Sequence, residues 1–314
     1  MSQLRRRDWI QVLALVFGVL GPLGLSLECR ADEPKKLKLL IIDGQNNHNW
    51  KAMTPPMKAF LEAAGRFEVG VATSPPAKAP KADWDKFRPD FSKYDVVLSN
   101  YNGEPWPTDV QTALERFVAD GGGLVVVHAA NNAFQDWPAW NHMIGLGWRD
   151  NSFGDRITLD ENGKIVRTPK GKGPGAGHGP QHEYKVKIRD PEHPVTKGMP
   201  AEWLHAKDEL YHGQRGPAMA MAILATAYSA SDKGGTGTNE PMIWIIPYGK
   251  GRVFTTVLGH VSGDDITALK DPFFQAAVSR GSEWAATGEV TIPLPPELSN
   301  PNREKTKRLN SAVQ

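Results

Sequence analysis

Three stretches that read as buried strands run into a histidine or stop just short of one. LKLLIID is followed by QNNHNW with His48, GGGLVVVH ends on His128, and GRVFTTVLGH ends on His260. In an open α/β sheet, ligands bind outside the carboxyl ends of the strands. Histidine both carries protons near neutral pH and ligates metals, so these three positions mark the candidate site. A carboxylate joins them in Asp208-Glu209-Leu210-Tyr211-His212. If that segment is extended, Glu209 and Tyr211 point one way, and Asp208, Leu210 and His212 the other. Glu209 is then a candidate general base or metal ligand. Two kinds of chemistry fit His48, His128, His260 and Glu209. The imidazoles can hold Zn²⁺ or Mn²⁺ to polarise a carbonyl or activate water, or the groups can move protons directly.

Around this set lie candidate substrate contacts. Small residues after His128, in Ala129-Ala130-Asn131-Asn132, leave room for a ligand. Trp106, Trp137, Trp140 and Trp148 fall in loops near the same edge, and aromatic faces with a polar rim suit sugar rings. Trp50, Asn131, Trp137, Trp148, Tyr211 and His178 are the expected substrate-binding residues. His178 and His182 flank the glycine-rich run GKGPGAGHGP with i, i+4 spacing, but Gly179 and Pro180 between them argue against a helix. That run is expected to be a mobile loop, a candidate lid over the site. His142, His193, His205 and His212 are read as structural or surface residues.

The elements that would position these groups alternate. A strand over 37–43 precedes a helix from Thr54, as cap, to about Ala64. Strands follow at 67–73 and 94–100, separated by a loop over 74–90. A helix over 107–120, with Val110, Ala113, Leu114 and Phe117 on its apolar face, is stopped by Gly121-Gly122-Gly123. A strand over 124–128 closes this half. Such alternation predicts an α/β fold with a parallel sheet. Further strands are expected at 183–190 and about 218–228, a hairpin around Tyr248-Gly249-Lys250-Gly251, and a helix over 271–286 with Phe274, Val278 and Trp284 inward. A single domain over 32–288 and a proline-rich, flexible tail over 289–314 complete the organisation.

The 314-residue chain opens with a basic segment, an apolar run from about Ile10 to Leu27, and a small-residue exit. That is the layout of a secretory signal peptide, with cleavage expected after Ala31. Arg6-Arg7 also resembles a twin-arginine export signal, although Arg5 stands where a small polar residue is usual. The mature protein is thus expected in the periplasm or outside the cell, with no stable membrane association. Of 37 Lys+Arg and 35 Asp+Glu, the leader takes Arg5, Arg6, Arg7, Arg30, Asp8 and Glu28, which leaves the rest near neutral. With no basic stripe, nucleic acid is not an expected partner. The single cysteine, Cys29, leaves with the leader. Disulfides, thiolate nucleophiles and cysteine zinc sites are therefore excluded from the mature chain.

Several blocks, in order, resemble the ThuA-like (trehalose-utilisation) family: HNW (48–50), GGGLVVVHAA (121–130), WPAWNHMIGLGWR (137–149), HP-x-TKG-x-P (193–200), DELY (208–211), ATA (225–227), EPMIW (240–244), YGKGRVF (248–254) and LGH (258–260). The resemblance spans roughly 37–286. It implies a flavodoxin-like, class I glutamine amidotransferase-like fold, a mostly parallel sheet with helices on both faces. In amidotransferases a cysteine follows the strand that here ends VVVHAAN and a histidine follows the one ending LGH. His260 matches the histidine, but no cysteine or serine lies between 121 and 151, which excludes glutamine hydrolysis through a thioester. The family is associated with trehalose and other disaccharides, in pathways through 3-keto sugars. The resemblance therefore implies a small carbohydrate, a disaccharide or 3-keto-glycoside, as substrate. The alternative is a non-catalytic secreted sugar-binding protein on a degenerate amidotransferase-like fold.

Overall fold

The computed structural model describes residues 35–299; the leader lies outside the described residues. The strands are β1 Leu37–Asp43, β2 Phe67–Thr73, β3 Val96–Ser99, β4 Gly123–Val127, β5 Arg156–Leu159, β6 Ile165–Thr168, β7 Gly177–His178, β8 His182–Ile188, β9 Glu202–Asp208, β10 Tyr211–His212, β11 Ala222–Ser229, β12 Thr238–Tyr248 and β13 Gly251–Thr256. The helices are α1 Trp50–Ala63, α2 Lys81–Trp84, α3 Thr108–Ala119, α4 Pro138–Ile144, α5 Pro272–Thr287 and α6 Pro296–Ser299. Among the described residues, no helix is long and apolar enough to cross a membrane.

The main sheet runs in the order β2-β1-β3-β4-β13-β12-β11-β8-β9, with the β5–β6 hairpin paired to β12. From β2 to β13 every neighbour is parallel. From β13 to β9 every neighbour is antiparallel. The fold is thus α/β and flavodoxin-like in its parallel half. Leu39 to Ile42 and Leu124 to Val127 are all buried, so layers cover both faces there, as a parallel sheet requires. Each such side chain contributes about 1.5–3 kcal/mol of burial. Alternate reversal through the antiparallel half brings β9 back to the direction of β1, β4 and β13. Four segments that leave the sheet at the same end therefore carry His48, His128, Glu209 and His260.

Several boundaries differ from the sequence expectation for physical reasons. Helix α1 starts at Trp50, capped by Asn49, whose side chain accepts from the Ala52 N–H. Pro55 and Pro56 lie inside it, and Thr54 accepts from Asn100 instead of capping. Within 74–90 the chain forms the one-turn α2. In α3 the inward face is Val110, Leu114 and Val118, with Ala113 exposed. Strand β11 begins only at Ala222, because Ala218 and Ala220 adopt positive φ of 45° and 51°. Helix α5 buries Phe274, Val278 and Trp284, but also Arg280 and Glu283 on its other faces. Those two hold the following chain: Glu283 accepts from the N–H of Thr291 and Ile292, and Arg280 donates to the Ile292 carbonyl. Residues 289–299 accordingly pack back, burying Ile292 and Leu298, and do not trail away.

The glycine-rich run is likewise pinned and not a free lid. The guanidinium of Arg215, fully buried, donates to the carbonyls of Gly154, Lys172 and Pro174. The N–H of Gly171 and of Ala176 donate to Asn151 and Arg149. Gly179 presses so closely on the turn at Lys233 that a Cβ would stand 1.8 Å from the Lys233 carbonyl oxygen. The exit of this run is fixed to the body as a result.

Candidate active site

Each imidazole is set by its own strand exit. After β1, the His48 N–H donates to Asn46 Oδ1 at 2.9 Å, and Asn46 donates to the Asn100 carbonyl. After β4 the chain turns sharply: His128 has φ +48°, rare for a residue with a Cβ, and is fully buried. Such strain costs about 1–3 kcal/mol and gathers at functional positions. Its Nδ1 lies 2.7 Å from the Val257 carbonyl oxygen and therefore donates to it. That leaves Nε2 as a lone pair facing Glu209, Oε2 at 3.6 Å, and the Tyr211 hydroxyl at 3.2 Å. After β13, the N–H of Gly259 and of His260 both donate to the Asp208 carboxylate, at 2.8 and 3.0 Å.

Glu209 is the hub. Its Oε2 is 3.1 Å from His260 Nδ1, and its Oε1 is 3.4 Å from His178 Nε2. The His48 ring sits 4.9 Å from that of His128 and 4.5 Å from that of His260, centroid to centroid. Ligand atoms of His48, His128, Glu209 and His260 all lie within 4.8 Å of one another. The His260 Nδ1 is buried and close to a carboxylate, yet makes no hydrogen bond. Groups that approach without aiming at each other can share a third point. A metal held at about 2.1 Å by each ligand would separate them by roughly 3.0–4.2 Å, so three imidazoles and one carboxylate suit Zn²⁺ or Mn²⁺ in donor type, and their 4.8 Å spread would have to close by about half an ångström to hold one.

Electrostatics favours the same use. Burial, with His128 and His260 alongside, lowers the His48 imidazole to about 3, so it is neutral at pH 7, the form a metal would need. Burial would raise the Glu209 carboxyl, but the facing imidazoles of His128 and His260 outweigh that and hold it well below the usual range. Burial raises the Tyr211 phenol well above its ordinary value, so it stays a donor.

Behind the site lies a buried frame built on His205, one of the histidines read from the sequence as structural or surface. His205 is fully buried, with Nε2 2.8 Å from Asp208 and Nδ1 3.4 Å from Asp271. Burial alone would lower its pKa, but these two carboxylates outweigh it and raise it to about 9. Asp271 caps α5 through the N–H of Phe273 and Phe274, and Asp208 also accepts from the Glu209 N–H at 2.7 Å. One chain of ion pairs and charged hydrogen bonds thus runs from the start of α5 to the backbone of Glu209 and His260, the step from Asp271 to His205 being an ion pair without a hydrogen bond.

The remaining expected contacts divide. Tyr211 and Trp148 stand together, rings 4.6 Å apart, and His178 lies 5.7 Å from Trp148, exposed at the mouth. Trp50 begins α1 two residues after His48, half-buried beneath the Lys51 ammonium. Asn131 is buried one turn after His128 and donates to Gln214, its Oδ1 unpaired. Trp137 is a correction: at the start of α4 it is buried in the core against Trp140 and Phe134 and offers no open face to a sugar. Trp106 and Trp140 are buried in the core as well. Sequence reasoning missed Gln181, whose side-chain nitrogen is 2.8 Å from His260 Nε2, and Asn47, whose amide is 3.2 Å from His48 Nε2. Nothing in their sequence surroundings separates them from ordinary loop amides. The larger grooves, such as one of about 750 Å³ lined by Phe60, Ala276 and Leu294, lie away from this cluster.

Fold and site together define a class I glutamine amidotransferase-like protein in which a histidine, His128, occupies the sharp turn after β4. The chain belongs to the ThuA family, described by trehalose utilisation, whose profile matches residues 38–285. It is similar to a ThuA-like protein from Parabacteroides merdae, with 42% identity and a TM-score of 0.80 over 84% of this chain and 95% of that one. A ThuA-like protein from Bacteroides uniformis shares the fold at 19% identity and a TM-score of 0.53, over 83% of this chain and 98% of that one. No curated protein matches the chain.

Proposed function

We propose that this is an exported enzyme that uses a metal held by His48, His128, His260 and Glu209 to act on a keto sugar, with a 3-keto-glycoside as substrate. The observation that carries the reading is the convergence of four ligand atoms within 4.8 Å, with His260 Nδ1 buried and unbonded among them. Ordinary glycoside hydrolysis needs two carboxylates flanking the scissile bond. Here Asp208 is consumed by Gly259, His260, Glu209 and His205, which leaves one carboxylate. Four ligands close a tetrahedral ion but leave two positions on an octahedral one, which favours Mn²⁺, or Zn²⁺ that expands its shell.

When bound, the ion supplies positive charge beside the keto oxygen, which acidifies the neighbouring C–H. The residues do the rest. Exposed His178, 3.4 Å from Glu209, takes the proton from the carbon between the keto group and the anomeric centre. The electron pair of that C–H bond forms the enolate; its collapse makes a carbon–carbon double bond conjugated with the ketone and breaks the glycosidic C–O bond, and the departing oxygen takes the proton that His178 now carries. Tyr211, a neutral donor 3.2 Å from His128 Nε2, orients a sugar oxygen, and Trp148 offers a face to the ring. Export rests on the basic, apolar and small-residue pattern of residues 1–31. The test is turnover of a 3-keto-glycoside by the mature chain. Activity that a chelator removes and Mn²⁺ or Zn²⁺ restores is expected. Turnover indifferent to chelation would leave direct proton transfer, and tight sugar binding without turnover would overturn the enzyme reading.

A further inference from the structure

His260 meets two partners through its two ring nitrogens: Nδ1 faces Glu209 at 3.1 Å and Nε2 faces the Gln181 side-chain nitrogen at 2.8 Å. An imidazole that binds a metal through one nitrogen carries its proton on the other, and the group that accepts that proton fixes the tautomer. His128 meets this requirement through the Val257 carbonyl, an acceptor that cannot change its role. His260 has no such carbonyl. Its outer partner is an amide, whose oxygen and nitrogen occupy nearly the same space when the side chain turns over. With the nitrogen toward Nε2, Gln181 donates, and His260 carries its proton on Nδ1, facing Glu209. With the oxygen toward Nε2, Gln181 accepts, and Nδ1 is left with the lone pair that a metal needs.

The backbone holds Gln181 in place for this. Gly179, two residues earlier, lies against the Lys233 turn, where no side chain fits. His182 pairs across the sheet with Asp208, the residue that fixes the His260 backbone. Gln181 and His260 are therefore both tied to Asp208, the first through the strand pairing of its neighbour His182 and the second through the carboxylate. We propose that Gln181 is a positioning residue that sets which nitrogen of His260 carries the proton, its amide donating in the metal-free protein and turned over to accept when Nδ1 binds metal. This rests on the metal centre described above and adds to it a residue that selects the ligand state.

Two variants separate the role from simple packing. Gln181→Glu can only accept and fixes the metal-ready tautomer; Gln181→Leu keeps the bulk and offers nothing. Gln181 is half-buried and its side chain supports no backbone group, so both variants fold. Zn²⁺ affinity by chelator competition is expected to fall about 10–100-fold in Gln181→Leu and to equal or exceed wild type in Gln181→Glu. Nitrogen-15 NMR of the metal-free protein is expected to show His260 protonated on Nδ1 in wild type and on Nε2 in Gln181→Glu. Equal loss of affinity in both variants, no change in either, or an unchanged tautomer would overturn the proposal. If wild type takes up no Zn²⁺, the metal centre fails, and the tautomer measurement alone decides the part played by Gln181.

Discussion

Glu209→Gln is expected to lower kcat/KM on a 3-keto-glycoside by about 10²–10⁴-fold, with the melting temperature within a few degrees of wild type. The carboxylate serves three imidazoles at once, at 3.1 Å to His260, 3.6 Å to His128 and 3.4 Å to His178. Glutamine fills the same space but brings no charge, and its NH₂ would donate to a ring lone pair that the metal would otherwise take. The ion would lose its only anionic ligand, and His178 would lose the carboxylate that orients it. The backbone of Glu209 is held by Asp208, not by its own side chain, so the fold should survive. Steady-state kinetics beside a thermal melt separates the two effects, and near-wild-type turnover would show that Glu209 is not at the chemical centre.

Asp208→Asn is expected to destabilise the protein by about 3–5 kcal/mol, the usual cost of breaking a buried pair from one side. The charge of His205 would then rest on Asp271 alone, at 3.4 Å, and one amide oxygen would have to replace two carboxylate oxygens for Gly259, His260 and Glu209. The same pair gives wild type a pH signature. His205 is raised from 6.5 to about 9 by the two carboxylates that outweigh its burial. A raised folded pKa stabilises fully below the unfolded value near 6.5 and is lost as pH climbs through about 9. The loss is on the order of 3 kcal/mol. Urea unfolding at pH 6.5, 8 and 9.5 should show wild type weakening across that range and the variant weakening less. A variant within 1 kcal/mol of wild type at pH 6.5 would contradict the frame.

The parallel half was legible because burial there writes itself as runs such as LLII and LVVV, with glycine stops and capped helices between them. The strand-end imidazoles followed from the same runs. Extended geometry at 208–212 rightly put Glu209 and Tyr211 on one side, both toward His128. Strand β9 was not legible, since its inward positions include His205 and Asp208 besides Trp203, so hydrophobic alternation fails just where the frame is polar. The glycine-rich run read as mobile because glycine content signals chain freedom, whereas its order comes from Arg215, a residue 40 positions away or more from most of what it holds. Trp137 read as a sugar platform because tryptophan chemistry suits both roles, and only its packing against Trp140 and Phe134 decides between them. The tie of Gln181 to His260 spans 79 residues and carries no local signal.

The central claim is that His48, His128, Glu209 and His260 hold a metal. Elemental analysis of the purified protein without residues 1–31, in wild type and His128→Ala, tests it most directly. Near-stoichiometric manganese or zinc in wild type that disappears in the variant is the expected result. Metal absent from wild type even after incubation with Mn²⁺ or Zn²⁺, or retained undiminished by His128→Ala, would contradict the account.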